Sequence, residues 1–322
     1  MKTLPWLLRR EFWENKGGFF WAPVITAAIF FTFTLMALIG FSVFKNHFMG
    51  DVHIGVSLRQ LTDNMSHEQL ADVGKGLNVA LAMLGNIIQV VLFFVVFFYL
   101  LGALYDDRRD RSVLFWKSLP ISDRDTVLSK VISAAFVAPL IALAVLIALQ
   151  LAFLLLLSVY CLFYGINPLT MIWGAAAPFT LWSKMLILLP INALWALPTM
   201  GWLLLVSAFF RSKPLLWAIL LPVGAALLIN WFDILSSFNI PDTRFWKYGV
   251  ARLLAGVFPG AYQIEFGIGE IAPGVHVAGA AGATTWTQIG QVLTSPSLWL
   301  GAIAGVVMLF GATRLRRWRD EA

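Results

Sequence analysis

The chain has 322 residues, of which 60% are apolar and only 12% are charged, whereas soluble domains are about 45–50% apolar and about 25% charged. A soluble domain of this length needs a charged exterior that this composition does not supply, so the composition indicates a membrane protein. The net charge of +6 is a weak indication of nucleic-acid binding by itself, and no nucleic-acid partner is expected. A single cysteine, Cys161, excludes a disulfide or a cysteine metal site within one chain.

Uncharged stretches locate the membrane spans, because a helix needs about 20 apolar residues to cross the hydrocarbon. They predict an all-α polytopic fold with six transmembrane helices in one domain that covers residues 1–322. The third uncharged stretch is too long for one helix, and the glycine and proline of Gly165–Pro168 favour a turn that ends the span near Tyr164. The predicted spans are residues 19–44, 80–105, 131–164, 185–210, 214–232 and 296–313.

The distribution of Lys and Arg predicts the topology. Segments 1–18, 106–130, 209–213 and 314–322 together hold 16 of the 23 Lys and Arg residues, whereas the acidic residues are divided nearly evenly between the two sides. A bias in Lys and Arg alone is what the positive-inside rule describes. Both termini are therefore predicted to be cytoplasmic (N-in/C-in), in a multi-pass protein of the inner (cytoplasmic) membrane.

Three segments outside the predicted spans have compositions that predict their structure or location. Residues 3–16 mix leucines and tryptophans with charges, which predicts an N-terminal interfacial helix, although Glu11 falls among the leucines on a helical wheel. Residues 45–78 are polar and are predicted to form an outer loop. The outer segment 233–295 contains twelve uncharged residues, 253–264, which are too few to span and suit a re-entrant or interfacial element.

Motifs for catalysis and cofactor binding are missing from the sequence. It contains no G-x-x-x-x-G-K-[ST] loop, so the chain does not bind nucleotide in that manner, and neither H-E-x-x-H nor G-x-S-x-G occurs. The histidines lie in predicted outer loops at spacings that fit no metal motif. We therefore expect a transport protein rather than an enzyme, with no cofactor and no metal in this chain. The four histidines are His47, His53, His67 and His276.

The predicted spans carry no ionisable side chain, which argues against an ion-coupled transporter because such proteins use ionisable groups as carriers or ligands. Their polar residues are amides and hydroxyls, which either form hydrogen bonds between helices or line a substrate pathway. An uncharged, aromatic-rich interior favours an apolar or amphipathic substrate, such as a lipid, a peptide antibiotic or a drug. The candidate pathway residues are Asn86, Gln89, Asn192 and Asn230.

The loop 106–130 reads DDRRDRSVLFWKSLPISDRDTVLSK and places an apolar, aromatic cluster among many charges. Such a mixture suits a short helix that docks into a groove of a partner protein, with apolar anchors and a polar rim. The alternative is that the aromatic residues lie in the lipid headgroups. The candidate partner-binding residues are Asp110, Arg111, Ser112, Leu114, Phe115, Trp116, Lys117, Ser118, Leu119 and Pro120.

This loop resembles the intracellular loop of the ABC type-2 permease family, in which Asp-Arg…Ser-x-x-Phe-x-x-Ser-Leu-Pro-x-Ser precedes a helix that opens with Ser-Lys. In that family the loop contains the coupling helix, which inserts into an ATPase subunit. The N-terminal helix, the six spans and a membrane-entering element between spans five and six are similar to the family's layout, and the long Gly/Ala-rich outer segment departs from it. The matching residues are Asp110, Arg111, Ser112, Phe115, Ser118, Leu119, Pro120, Ser122, Ser129 and Lys130.

The resemblance implies the permease subunit of an ABC exporter, which forms the substrate pathway. Its partners would be a separate ATPase subunit that holds ATP and magnesium, a second permease chain that is identical or different, and membrane lipid. Two alternatives remain open at this point. One is an ion-coupled secondary transporter, and the other is a membrane scaffold or sensor partner without a substrate path.

Overall fold

The computed structural model describes residues 3–48, 65–110, 122–176, 178–236, 245–266, 270–272, 275–276 and 286–319. Within these residues, six helices are long and apolar enough to cross a membrane. This confirms the predicted all-α, multi-pass fold. The six spans, numbered first to sixth in chain order, are Gly17–Gly40, His67–Arg109, Asp123–Phe163, Leu169–Phe209, Pro214–Trp231 and Pro296–Trp318.

The helices of the described residues follow one another with short π-helical turns between some of them. Such turns occupy Gly17–Trp21, Ser133–Val137, Leu169–Gly174 and Trp246–Ala251, and strands β1 (Glu270–Ala272) and β2 (Val275–His276) form a small antiparallel pair. The α-helices are α1 (Leu4–Glu14), α2 (Ala22–Phe48), α3 (His67–Gly102), α4 (Tyr105–Arg109), α5 (Asp123–Ile132), α6 (Ala138–Phe163), α7 (Pro178–Phe209), α8 (Pro214–Ser236), α9 (Arg252–Ala255), α10 (Ala261–Glu265), α11 (Trp286–Thr294) and α12 (Pro296–Arg319).

Helix α3 begins well before the predicted span at residue 80, so the prediction of a loop over residues 67–78 is wrong. The physical reason is a capping box. The Ser66 hydroxyl accepts a hydrogen bond from the Gln69 amide (3.3 Å), and the Gln69 side chain accepts one from the Ser66 amide (2.9 Å). These bonds satisfy amides that the first turn of a helix leaves without partners, so polar residues extend the helix beyond its apolar part.

The last eight residues of the 106–130 loop, from Asp123 onward, are also helical. Helix α5 begins at Asp123, where the Ser122 hydroxyl accepts a hydrogen bond from the Asp125 amide (3.1 Å), and it continues through a π-helical turn into α6. The helix therefore opens several residues before the Ser129-Lys130 pair at which the resemblance placed its start. The chain that follows residue 121 is thereby directly continuous with the third span.

Close backbone contact joins α7 to α12. A Cβ atom added to Gly305 would lie 2.5 Å from the carbonyl carbon of Leu197, and one added to Gly201 would lie 2.6 Å from the carbonyl oxygen of Gly305. Small residues allow this approach in membrane bundles. Gln150 on α6 joins three spans, because its fully buried amide donates to the Leu81 carbonyl (2.9 Å) and accepts from the Trp182 indole (2.8 Å).

Residues 245–266 pack against the middle of α7, and this contact positions the central cavity described below. The Thr199 hydroxyl donates to the Arg252 carbonyl (2.6 Å), and the Asn192 side chain accepts from the Gly260 amide (2.8 Å), where Gly260 adopts a left-handed φ of 81°. Thr199 lies ten residues before the end of α7, which is about 15 Å along a helix and about half the hydrocarbon thickness. Residues 245–266 thus pack against α7 well inside its length without forming a further span.

Candidate functional site

Five charged side chains meet where α1, α4, α5 and α12 come together, and we call them the charge cluster. Three of the five are almost inaccessible: Glu11 is 1% exposed, Lys130 3% and Arg316 5%. Buried charges of this kind are strongly unfavourable unless they are paired. The members of the charge cluster are Glu11, Asp107, Asp123, Lys130 and Arg316.

The charge cluster is a continuous chain of ion pairs. Lys130 Nζ lies 3.2 Å from Glu11 Oε1 and 3.4 Å from Asp107 Oδ2. Arg316 lies 3.7 Å from the same Asp107 oxygen through Nη1, and 3.2 Å from Asp123 Oδ1 through Nε. Asp107 therefore bridges the two cations, and each buried charge has a partner of opposite sign, as stability at such a site requires.

A second anchor joins α4 to the end of α7. The Arg108 guanidinium donates to the Ser207 and Phe210 carbonyls, the latter at 3.1 Å. The Ser207 hydroxyl in turn accepts from the amides of Leu104 (3.1 Å) and Tyr105 (2.9 Å). The last carbonyls of a helix lack partners within the helix and favour a cation. The end of the second span is thus fixed to the end of the fourth.

Of the predicted partner-binding residues, the structure places only Asp110, which is exposed and whose amide donates to the Asp106 carbonyl (3.0 Å). Arg111, Ser112, Leu114, Phe115, Trp116, Lys117, Ser118, Leu119 and Pro120 lie outside the described residues. The residues on either side of segment 111–121 are held firmly. Asp107 and Arg108 anchor one side, and Asp123 and Lys130 anchor the other.

The charge cluster was not predicted as a site from the sequence, although one signal pointed to it. Glu11 interrupts the apolar face of α1, and the structure shows why: it faces the bundle and accepts a hydrogen bond from the Tyr99 hydroxyl (2.7 Å) in addition to its ion pair. Arg316 entered only into the count of basic residues. An acidic residue on the buried face of an amphipathic helix is therefore the sequence signal that locates this site.

A cavity of about 90 Å³ lies between α3, the start of α6, α7 and the residues 257–263, and we call it the central cavity. Among the described residues, its lining is apolar apart from four neutral residues, Gln89, Asn192, Tyr262 and Gln263, and includes no charged side chain. A largely apolar pocket with a few polar groups is typical of a small-molecule site.

The structure brings together two of the four predicted pathway residues. Gln89 and Asn192 line the central cavity, whereas Asn86 and Asn230 are half-buried on α3 and α8 and do not line it. The Asn192 carboxamide is engaged on both sides, since it donates to the Leu188 carbonyl (3.1 Å) and accepts from Gly260. Asn192 thus holds residues 257–263 in place at the edge of the cavity.

Two polar residues of the cavity, Tyr262 and Gln263, were not predicted from the sequence. The Tyr262 side chain is 1% exposed, and its hydroxyl interacts with the neighbouring Gln263 side chain but donates no hydrogen bond of regular geometry to a described residue. A buried donor without an acceptor costs about 1–3 kcal/mol. Both residues belong to the uncharged stretch 253–264, in which the pattern of charges gives no indication of function.

Arg252 brings a positive charge into the interior of the bundle. It is 8% exposed, and its guanidinium lies over the Trp195 ring, 4.0 Å from the ring centroid. Gly301 on α12 leaves the room for it, because a Cβ atom there would collide with the guanidinium. A desolvated cation–π contact contributes about 2 kcal/mol. The sequence analysis had treated Arg252 only as the boundary of an uncharged stretch.

Comparison of the chain with known protein families, with curated proteins and with solved structures gave no match. Among the described residues, no group of three or more His, Cys, Asp or Glu side chains is arranged to hold a metal ion. The functional proposal therefore depends on the geometry of the charge cluster and the central cavity, and on the pattern of the 106–130 loop.

Proposed function

We propose that the protein is the permease subunit of an ABC exporter in the inner (cytoplasmic) membrane. It would form the substrate pathway and receive mechanical work from a separate ATPase subunit through the 106–130 loop. The observation that carries the proposal is the anchoring of both flanks of segment 111–121, by the charge cluster and by Arg108.

A loop that only connects two spans needs no such anchoring. Here Lys130 ties the end of α5 to α1, and Asp123 ties its start to α12. Arg108 ties α4 to the fourth span. A displacement of segment 111–121 would therefore be passed to α1, α12 and the fourth span rather than absorbed by a flexible linker, and this is the property that a coupling segment requires.

The energy source has to be a different subunit, because the sequence contains no phosphate-binding loop. ATP and magnesium would bind in that ATPase subunit. Shifting a two-state equilibrium from 1:99 to 99:1 takes about 5.5 kcal/mol of differential binding. Two permease chains, identical or different, would each dock one loop, and the two loops together would supply this differential binding free energy. Such an assembly has twelve spans.

An ion-coupled transporter is less well supported. Arg252 is a buried charge, but a guanidinium does not release its proton in proteins and is no ligand for a cation. A carrier of protons or cations needs carboxylates or histidines within the membrane, and the described residues that line the central cavity include neither.

The test is the double substitution Phe115→Asp and Trp116→Asp, which replaces the predicted apolar anchors of the loop by charges. We expect the variant to lose copurification with the co-expressed ATPase subunit and to lose ATP-dependent transport, while its thermal unfolding temperature in detergent stays unchanged. The matched control is Trp318→Asp, because Trp318 is a 68% exposed tryptophan on α12, outside the loop.

Full copurification of the Phe115/Trp116 variant with a coupled ATPase would contradict the docking assignment. If the wild-type chain binds the ATPase subunit but no compound stimulates ATP hydrolysis, the result would instead favour the scaffold or sensor alternative.

A further inference from the structure

The residues that line the central cavity favour a particular kind of ligand. Its walls are formed by aliphatic side chains from three spans, among them Leu92, Val96, Ala142, Leu146 and Leu188. These five side chains are at most 5% exposed. The apolar lining favours a hydrocarbon group, and the absence of a charged lining residue disfavours an ion, which would be left unpaired in an apolar site.

The volume of the cavity restricts the size of the group that fits. At about 90 Å³ it is smaller than an apolar cavity of about 150 Å³ that accommodates benzene. A small group such as the end of an unbranched alkyl chain fits this space more easily than a bulky ring system. Half-buried Gln89, Pro139 and Leu143 belong to the lining, so a ligand can approach from the side of the bundle at which these residues are exposed.

Tyr262 provides the specific contact. A tyrosine hydroxyl is a hydrogen-bond donor, and this one lines the cavity without donating to a described residue, since the neighbouring Gln263 side chain interacts with it as a donor. A ligand atom that accepts a hydrogen bond would remove the unfavourable burial of the hydroxyl. The Asn192 carboxamide does not take this role, since it already holds Gly260 and Leu188.

We propose that the central cavity binds a neutral amphiphile, with its unbranched alkyl chain among the aliphatic walls and a hydrogen-bond acceptor at Tyr262 Oη. The inference deepens the proposed function, because it names the chemical class that the permease would handle. Binding of the amphiphile to this chain is nevertheless measured without the ATPase subunit. A negative result therefore contradicts the ligand proposal without contradicting the docking of an ATPase subunit, and the reverse also holds.

The test uses the full chain in nanodiscs and a long-chain primary alcohol that carries a diazirine on its alkyl chain. After irradiation, we expect mass spectrometry to find label in peptides that contain residues 185–200 and 257–263. Carboxylate and trimethylammonium probes with the same chain and diazirine should label these peptides much less, because the cavity offers no partner for their charges.

The substitution Tyr262→Phe removes the hydroxyl and keeps the ring. It should lower labelling by the alcohol by about fivefold, the equilibrium effect of one net hydrogen bond of about 1 kcal/mol. The control is Tyr160→Phe on α6, where the hydroxyl lies 3.4 Å from that of Tyr164, away from the cavity. Its labelling should equal that of the wild type.

A second variant fills the space instead of changing its chemistry. Ala142→Leu places a larger side chain in the cavity wall and should abolish labelling of the two peptides while the unfolding temperature stays unchanged or rises. Equal labelling of the wild type and Tyr262→Phe, or label confined to the outer surface of the bundle, would overturn the proposal.

The amphiphile has two possible sources, the bilayer itself or a transported compound, and the choice of nanodisc lipid distinguishes them. Straight-chain phospholipids should compete for a small cavity, whereas methyl-branched phytanoyl chains are bulkier and should compete less. Weaker labelling in straight-chain nanodiscs identifies membrane lipid as the occupant. Equal labelling in both identifies the free amphiphile.

Discussion

Glu11 lies where a helix at a membrane surface would ordinarily carry an apolar residue, and its burial is favourable only because of its partners. Lys130 and the Tyr99 hydroxyl contact its two carboxylate oxygens at 3.2 and 2.7 Å. Removing one partner from such a site leaves a buried charge without compensation, which costs about 3–5 kcal/mol. Removing both charges leaves no such charge and is expected to be much milder.

At the residue scale we therefore predict a strong, non-additive response to substitution at Glu11 and Lys130. Lys130→Met should lower the free energy of unfolding by about 3 kcal/mol, because it leaves Glu11 buried without a cation. Glu11→Gln should lower it by less, because Lys130 keeps its ion pair with Asp107. The double variant should recover much of this loss, because the two effects share one interaction. Thermal unfolding of the purified chain measures all three variants.

A control comes from a surface ion pair whose contact is shorter than that of Lys130 and Glu11. Lys75 Nζ lies 2.8 Å from Asp72 Oδ1, but both side chains are more than 70% exposed, and surface pairs contribute about 0–1 kcal/mol. Lys75→Met should leave the unfolding temperature almost unchanged. Strictly additive effects of Glu11→Gln and Lys130→Met would show that the two residues do not act as a pair.

At the element scale, the contact between α7 and α12 gives a prediction about backbone packing. Because a Cβ atom at Gly305 meets the Leu197 backbone at 2.5 Å, Gly305→Ala forces the two helices apart. We expect a loss of about 1–3 kcal/mol, the typical effect of overpacking, visible as a lower unfolding temperature. Separation of these helices would also shift Arg316, so cysteines placed on the two helices should cross-link less efficiently.

Gly224→Ala is the control for this prediction. Gly224 also lies in a spanning helix, α8, but a Cβ atom there meets nothing within 4 Å. Alanine favours a helix over glycine by about 1 kcal/mol, so this variant should be neutral or slightly more stable. A loss of stability equal to that of Gly305→Ala would mean that close packing is not the cause.

The sequence predicted the existence of the helical spans better than their ends, and the reason is physical. The apolar part of each span is directly visible as a run of apolar residues in the sequence. The ends of the helices depend on single capping residues, such as Ser66 and Ser122, which extend α3 and α5 into polar sequence. The site was predicted less completely. The partners of Glu11 and Lys130 lie far apart in the chain, and the position of Tyr262 at a cavity depends on how residues 245–266 pack against α7.

At the scale of the whole molecule, the contacts bear on the predicted topology. The charge cluster brings α1, α4, α5 and the end of α12 together, and Arg108 adds the end of α7. Segments rich in Lys and Arg therefore meet at one end of the bundle, as an even number of spans requires. The positive-inside rule assigns this end to the cytoplasm, and on this assignment segment 111–121 can reach a cytoplasmic ATPase.

We therefore predict that Ser118 is accessible only from the cytoplasm and that Ser57, in the predicted outer loop, is accessible only from outside. Cys161→Ser removes the one native thiol and provides the background for the single substitutions Ser118→Cys and Ser57→Cys. A membrane-impermeant maleimide applied to intact cells should label the Ser57→Cys variant and leave the Ser118→Cys variant unlabelled. Permeabilised cells should show label on both, which establishes that each thiol is reactive. Labelling of the Ser118→Cys variant in intact cells would place the loop on the outer side, out of reach of any ATP-driven partner, and the proposed function would be wrong.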